Sequence, residues 1–210
     1  INTKSYKYKI FDRDATNILT QRGCPYKCKF CCGRNVDIYK TSRTHGIERV
    51  LKEMDGLNKD FGYNSFMWFD DEINVNAKRL MELCKRLEGR GYTHRGFIRT
   101  DLILKYPETV EAMKRAGFVK LCAGVESGSD KILHRINKET TYDINLKASR
   151  IIKNAGIHFE AFTLLGHPGE TYGDVMATKR WLLDARPDDF DLNIVQPYPG
   201  SYLYDNSNLS

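Results

Sequence analysis

The sequence predicts an α/β fold, a partial (β/α)6 barrel of the TIM type with parallel strands inside and helices outside. Two observations support this prediction. Apolar runs of strand length alternate with longer helical patterns at intervals of roughly thirty residues, the length of a strand–helix unit. Gly91, Gly117 and Gly156 stand where helical patterns end, and glycine tolerates the left-handed turn that closes a helix. Six such units are too few for a closed eight-stranded barrel and suit a partial barrel or an open doubly wound sheet.

Six strands and five helices follow from these patterns. The predicted strands are Asn17–Gln21, Ser65–Phe69, Gly96–Arg99, Phe118–Gly124, His158–Leu164 and Phe190–Val195. The first helix runs from about Thr44 to Asp60, and the second, from Ala77 to Leu87, places apolar side chains at helical spacing. The third helix begins at Pro107, a favoured first-turn residue. The fourth begins near Thr140 and the fifth at Thr171, each with an aspartate three residues later (Asp143 and Asp174) that forms a box-like cap.

Length and composition indicate one globular core domain. The chain has 210 residues, of which we assign 1–14 to an N-terminal lead-in and 15–210 to the core, and both ends look cut from a longer protein. The net charge is +6, but lysine and arginine are scattered, so nucleic acid is not an expected partner. No stretch reaches the ~20 apolar residues of a membrane helix, and the N-terminus lacks a signal peptide. We therefore expect a cytoplasmic protein.

Three cysteines within eight residues, Cys24, Cys28 and Cys31, directly follow the first predicted strand. Thiolates this close on one loop can converge on a metal centre, and they are poorly placed for disulfides with one another. Three thiolates leave a four-iron cluster one ligand short, so a small molecule can bind there. Zinc is the alternative, but zinc sites usually use two separated ligand pairs, and no second pair is present. The other cysteines are expected not to be ligands: Cys32, Cys84, which lies on an apolar helix stripe, and Cys122, a buried structural thiol.

Polar or motif residues follow each later strand at its carboxyl end. They are Asp70 and Asp71, Arg99, Glu126 and Ser127, Leu165, and Gln196. Because the carboxyl ends of parallel strands meet at one edge, a site is expected there. Simpler explanations stay open: a solvated strand end for the acids, a structural salt bridge for Arg99, and a helix cap for Ser127. His167 is either an ordinary turn residue or one that faces substrate.

The spacing Cys-x3-Cys-x2-Cys, with Phe30 before the last cysteine, resembles the signature of the radical S-adenosylmethionine (SAM) superfamily. The resemblance implies that the three cysteines hold a [4Fe–4S] cluster whose fourth iron binds SAM. One electron would then cleave SAM to methionine and a 5′-deoxyadenosyl radical, which abstracts hydrogen from a substrate. The resemblance also assigns SAM contacts to residues along the strand ends. These are Phe30, Leu165 and Gln196 for the adenine, Asp70 or Asp71 for the amino group, and Glu126 and Ser127 for the ribose or methionine end. Arg99, at the carboxyl end of a strand, could pair with the carboxylate of SAM or with substrate.

Two branches of this superfamily share the motifs that follow the strands. One is the cobalamin-binding group, which includes methyltransferases and ring-forming enzymes such as the anaerobic magnesium-protoporphyrin ester cyclase. The other is the methylthiotransferase group. The run from Arg22 to Tyr26 favours the first, with cobalamin held by a domain outside this chain. The expected partners are a small-molecule or peptide substrate and an electron donor such as flavodoxin or ferredoxin. A non-catalytic metal-binding or electron-transfer domain is the alternative of another class.

Overall fold

The computed structural model describes residues 8–206, except for the side chains of residues 34 and 35. Its strands are β1 (Tyr8–Ile10), β2 (Arg13–Ile18), β3 (Gln21–Arg22), β4 (Arg43–Thr44), β5 (Ser65–Trp68), β6 (Thr93–Ile98), β7 (Phe118–Glu126), β8 (His158–Leu165) and β9 (Asp189–Ile194). Its helices are α1 (Ile47–Phe61), α2 (Ala77–Leu87), α3 (Thr100–Lys105), α4 (Glu108–Arg115), α5 (Asp130–Arg135), α6 (Tyr142–Asn154), α7 (Tyr172–Ala185) and α8 (Tyr202–Asp205). None of these helices combines the length and apolar composition of a membrane span.

Seven strands form one sheet in the order β1-β2-β5-β6-β7-β8-β9. The six strands from β2 to β9 are parallel and follow chain order, which confirms the predicted partial barrel. Strand β1 is an addition that the sequence did not reveal, and it pairs antiparallel with β2. It lies within the segment assigned to the lead-in, of which residues 1–7 lie outside the described residues, as do residues 207–210 of the core segment. A separate two-stranded hairpin, β3–β4, joins the two ends of the cysteine-bearing loop.

The main core lies between the sheet and the surrounding helices. Alternate residues of a strand face opposite sides, so Leu121, Ala123 and Val125 of β7 pack into this layer and are completely buried. Helix α2 contributes an apolar stripe that includes Cys84, which confirms its predicted place in the core. The intervening strand residues face the barrel lumen.

The lumen floor is filled by a polar network and closed by the β1–β2 turn. Cys122 donates to a carboxylate oxygen of Glu160 at 2.9 Å, and Arg95 contacts the same thiol at 3.1 Å and Glu160 at 2.8 Å. Cys122 is thus a buried structural thiol, as predicted. Phe11, in the β1–β2 turn, reaches across to the ring of His158 on β8, with 5.2 Å between ring centres.

The predicted cap of the fifth helix is confirmed, whereas that of the fourth is shifted by one residue. Thr171 and Asp174 form a reciprocal capping box at the start of α7. Helix α6 is capped by Thr141, whose hydroxyl accepts from the backbone N–H of Ile144 at 3.2 Å, and not by Thr140. Asp143 therefore falls one residue short of the position from which it could complete a capping box. Pro107 is the N-cap of α4, one residue before the first-turn position predicted for it, and the short helix α3 precedes it.

Candidate functional site

The cysteine loop, residues 22–43, begins at the carboxyl end of the first parallel strand and is fastened there by the acids that follow β5. One carboxylate oxygen of Asp70 accepts from the backbone N–H of Thr20 at 2.6 Å and of Gln21 at 3.1 Å, and the other accepts from the Thr20 hydroxyl at 2.5 Å. Asp71 accepts from the backbone N–H of Gly23 at 2.6 Å. Both predicted acids thus hold the loop in place.

Close backbone packing fixes the start of the loop. Gly23 has a φ of +87°, and a Cβ atom there would overlap the carbonyl of Thr41. The N–H of Cys24 donates to the carbonyl of Tyr39 at 2.8 Å. The first cysteine is therefore held against the returning arm of its own loop.

The three signature cysteines differ in exposure and none forms a disulfide. Cys28 is buried, Cys24 is partly buried and Cys31 is exposed. Burial raises the pKa of the Cys24 thiol to about 12, and it also raises that of Cys28 although Lys138 and Arg99 oppose the shift. Within residues 8–206, no three histidine, cysteine or acidic side chains gather closely enough to hold a single metal ion. A four-iron cluster has a different requirement, since each thiolate binds its own iron.

Arg99 is a predicted residue that lies beside the second cysteine. Its guanidinium lies 3.9 Å from the sulfur of Cys28 and stacks 3.5 Å from the ring centre of Tyr26. It also donates to the carbonyl of Lys138 at 2.7 Å and pairs with Asp101 at 2.9 Å. These contacts hold a buried cation in a fixed position beside the second cysteine.

A second buried cation, Lys138, pairs with Glu126 at the end of β7. The ammonium lies 2.8 Å from the carboxylate, and both side chains are less than a tenth exposed. The same ammonium is 5.8 Å from the ring centre of Phe30. Glu126 has a φ of +63°, a conformation in which a non-glycine residue stores strain, and the β7–β8 register shifts there. The sequence predicts Glu126 and Phe30 as site residues but not Lys138.

Buried polar side-chain atoms with no partner within the described part of the chain occur on Gln21, Glu72, His94, His167 and Glu170. Two of these residues lie beside groups already described at the site. One is Glu72, one of whose carboxylate oxygens is enclosed and unpaired, and burial raises its pKa to about 7. The other is His167, which is 3 % exposed and has both ring nitrogens unpaired. Its ring meets that of Phe30 edge to face at 6.3 Å, and burial lowers its pKa. Buried polar groups without partners are rare in folded proteins, so both point to a ligand at this edge of the sheet.

The remaining predicted residues are Ser127, Leu165 and Gln196. The hydroxyl of Ser127 turns toward α7, 3.3 Å from that of Thr178, and accepts from the N–H of Ser129. Leu165 ends β8, and Gln196 is exposed beyond β9. Between the cysteine loop and the ends of β8 and β9 lies a cavity of about 400 Å³. It is lined by Lys29, Arg135, Ile136, Gly166, Pro168, Val195, Pro197, Tyr202, Leu203 and Asn206.

Glu72 and Lys138 were not predicted as site residues, and the sequence carries a different signal for each. Glu72 extends the acidic run Asp70-Asp71, so its position after an apolar strand was visible. Lys138 lies in a loop after α5, and only the folded chain brings it to Glu126, twelve residues earlier. No local pattern marks it.

The residues present fit a [4Fe–4S] cluster with SAM. The donor set is three thiols on one loop, the chemistry that iron–sulfur clusters require. Beside it stand an unpaired carboxylate oxygen of Glu72 and the cations of Arg99 and Lys138, which match the ammonium and carboxylate of an amino acid.

Comparison with known proteins agrees with this fit. The chain is 29 % identical over 199 residues to an uncharacterized methyltransferase of Pyrococcus horikoshii, covering 95 % of this chain and 43 % of that protein. It is 28 % identical over 208 residues to the anaerobic magnesium-protoporphyrin IX monomethyl ester cyclase of Cereibacter sphaeroides, covering 97 % and 34 %. The chain therefore spans less than half the length of these relatives.

The fold matches that of the radical SAM methyltransferase TsrM from Kitasatospora setae, whose structure contains cobalamin and a [4Fe–4S] cluster. The TM-score is 0.78 at 16 % identity, over 91 % of this chain and 36 % of that one. The model of the radical SAM superfamily matches residues 18–182, well over half of the chain. This family uses a [4Fe–4S] cluster and SAM. From the cysteine loop to α7, the chain belongs to the radical SAM superfamily.

Proposed function

We propose that the protein containing this chain is a radical SAM enzyme of the cobalamin-dependent type, which transfers a methyl group or forms a ring on its substrate. In this proposal Cys24, Cys28 and Cys31 are the cluster ligands. The observation that carries it is the juxtaposition of these thiols with the unpaired carboxylate oxygen of Glu72 and the buried Arg99. When bound, the cluster and SAM supply a reducing electron and a cleavable sulfonium. The protein's own residues bind, orient and shield them.

The amino-acid end of SAM is assigned to the charged groups beside the cysteines. Glu72 is proposed to accept from its ammonium, because its enclosed oxygen has no other partner within the described residues. Arg99 and Lys138 are proposed to face its carboxylate. Asp70 and Asp71 are proposed to act indirectly, because they accept hydrogen bonds from Thr20, Gln21 and Gly23 and so position the loop.

The nucleoside end is proposed to lie next to the cavity of about 400 Å³ beside the loop, which Gly166, Val195 and Pro197 help to line. Phe30 and the backbone near Leu165 and Gln196 are proposed to flank the adenine, as the sequence resemblance implies. Glu126 and Ser127 are proposed for the ribose, with Glu126 held toward the site by Lys138 and Ser127 shaping the turn behind it. The apolar walls of this region exclude water from the reacting groups.

The proposed branch rests on the relatives' names and on the opening of the loop. The cyclase and methyltransferase align over nearly all of this chain, and TsrM shares its fold. Cobalamin would be held outside the described residues. The substrate is proposed to be a small molecule or a peptide, and the electron donor a flavodoxin or ferredoxin.

The test is anaerobic reconstitution with iron and sulfide, followed by reduction and addition of SAM. Release of 5′-deoxyadenosine or methyl transfer to a cobalamin-loaded full-length protein supports the proposal. Cys28→Ala is expected to abolish iron and sulfide binding, whereas the adjacent control Cys32→Ala retains both. Equal losses in the two variants would contradict the ligand assignment. A folded protein that takes up zinc instead, or leaves SAM intact, would favour a binding-only domain.

A further inference from the structure

The positive charge of the chain is concentrated in the cysteine loop. Lysine and arginine are scattered over the chain as a whole, yet residues 22–43 contain six of them and a single aspartate, a net charge of +5. The entire chain of 210 residues has a net charge of +6. The remainder of the chain is therefore nearly neutral, and the loop is the basic part of the molecule.

Two of these charges face each other across the hairpin that closes the loop. Arg22 of β3 pairs directly with Arg43 of β4, and both are exposed. Neither belongs to an ion pair among the described residues. Like charges directly opposite on paired strands destabilise the hairpin. An anionic partner that binds across the pair would remove this cost.

An apolar patch lies on the same loop. Val36, Ile38 and Tyr39 are 41 %, 57 % and 44 % exposed. Val36 joins two short 3-10 turns, and Ile38 and Tyr39 lie on the second of them. At the edge of this patch Lys40 pairs with Asp37 at 2.6 Å. Apolar side chains surrounded by charged ones are typical of protein–protein interfaces.

The patch also lies close to the proposed iron ligands. The carbonyl of Tyr39 accepts from the backbone N–H of Cys24, and Cys31 is exposed. The sulfur of Cys31 and the Cβ atom of Tyr39 both lie 3.7 Å from the position that a Cβ atom at Gly33 would take. We propose that this face of the cysteine loop, residues 22–43, is the docking surface for an acidic one-electron carrier protein. The inference rests on the proposed function. On docking, one electron leaves the reduced carrier and one enters the iron–sulfur centre, and no covalent bond forms or breaks.

An acidic protein suits this surface better than a nucleic acid. Both would complement the arginine pair electrostatically. However, the aliphatic side chains of Val36 and Ile38 offer nothing to a phosphate backbone, whereas they suit the apolar centre of a protein interface. RNA binding is therefore an outcome that the experiment distinguishes.

The sharpest variant is Arg43→Glu. It converts the repulsive pair with Arg22 into an attractive one, so the hairpin is kept, while the face loses positive charge. Ile38→Ser removes the apolar contact without changing the charge. The matched control is Arg150→Glu, an exposed position on α6 with the same change of charge.

The primary measurement is the dissociation constant of oxidised flavodoxin for the reconstituted holoprotein, with iron content determined for each variant. We expect Arg43→Glu to weaken binding by about tenfold or more at low salt, and Arg150→Glu to leave it unchanged. Binding by the wild type should weaken as salt rises from about 0.05 to 0.5 M. Ile38→Ser should weaken binding at both salt concentrations.

Equal affinities of Arg43→Glu and Arg150→Glu at full iron content would overturn the inference. So would binding that does not respond to salt, or an arginine-dependent affinity for RNA with unchanged flavodoxin binding. Dithionite tests the proposed function separately, because it reduces the holoprotein without docking. If dithionite yields 5′-deoxyadenosine and the flavodoxin affinities stay equal, only the docking surface is wrong. If dithionite yields neither 5′-deoxyadenosine nor methyl transfer to the cobalamin-loaded protein, the proposed function itself fails.

Discussion

Replacement of Asp70 tests whether the acids after β5 act by fastening the cysteine loop. Asp70→Ala removes the acceptor for three buried donors: two backbone N–H groups and the Thr20 hydroxyl. A hydrogen bond to a charged group contributes about 1.5–3 kcal/mol, and losses at one residue are not additive, so we expect about 3–6 kcal/mol of destabilisation. Asp70→Asn keeps one oxygen for the two N–H groups, and the Thr20 hydroxyl can turn to accept from the new amide. Its expected cost is about 1–2 kcal/mol.

The neighbouring Asp71 provides the matched control. It accepts one hydrogen bond, from Gly23, at an exposed position, so Asp71→Ala should cost only about 1 kcal/mol. The assay is urea unfolding followed by tryptophan fluorescence, since Trp68 is completely buried two residues before Asp70. Iron retained after reconstitution should fall in the same order. A stability of Asp70→Ala within about 1 kcal/mol of Asp71→Ala would refute the fastening role.

Three more predictions follow from buried groups. Burial lowers the pKa of His94 to about 3, below its unfolded-state value near 6.5. The stability that the neutral imidazole gives the fold is therefore complete above pH 6.5. As pH falls from 6.5 toward 3, the free energy of unfolding should decrease by about 1.4 kcal/mol per pH unit. Urea unfolding at pH 7 and pH 5 should show a smaller pH dependence in His94→Phe, and an unchanged one would contradict this. Lys138→Met leaves Glu126 buried and unpaired, and it should lower the free energy of unfolding by about 3–5 kcal/mol. Adding Glu126→Gln should restore much of this loss, and a double variant no more stable than Lys138→Met would argue against the pair. Gly128→Ala would place a Cβ atom against the carbonyl of Ala177 and should lower the melting temperature, whereas an unchanged value would show that α7 shifts freely.

The parts of the fold that the sequence predicted are those with local signals. Strands β5, β7 and β8 are rich in apolar residues, and the Thr171–Asp174 cap depends on side chains three residues apart. The sequence did not reveal β1, β3 and β4, which have three residues or fewer. Such short strands carry no periodicity, and they are defined by partners distant in the chain.

The residues of the candidate site also divide into those with a local sequence signal and those without one. The three cysteines and Phe30 were visible because their spacing on one loop is itself the signal. Whether Asp70 faces a ligand or its own backbone was not visible, because its partners are fixed by the register of β2 against β5. Lys138 was missed for a related reason, since its burial depends on the strained turn at Glu126.

The sheet ends in two strands that do not pair with each other, β1 and β9, and every residue of β9 is exposed. The described strands therefore leave a lateral entrance beside the mouth at their carboxyl ends, while Phe11 and His158 close the bottom. A bulky molecule can insert only its reactive portion through such an entrance and keep the rest outside. What can pass through this entrance then depends on whatever stands opposite β9.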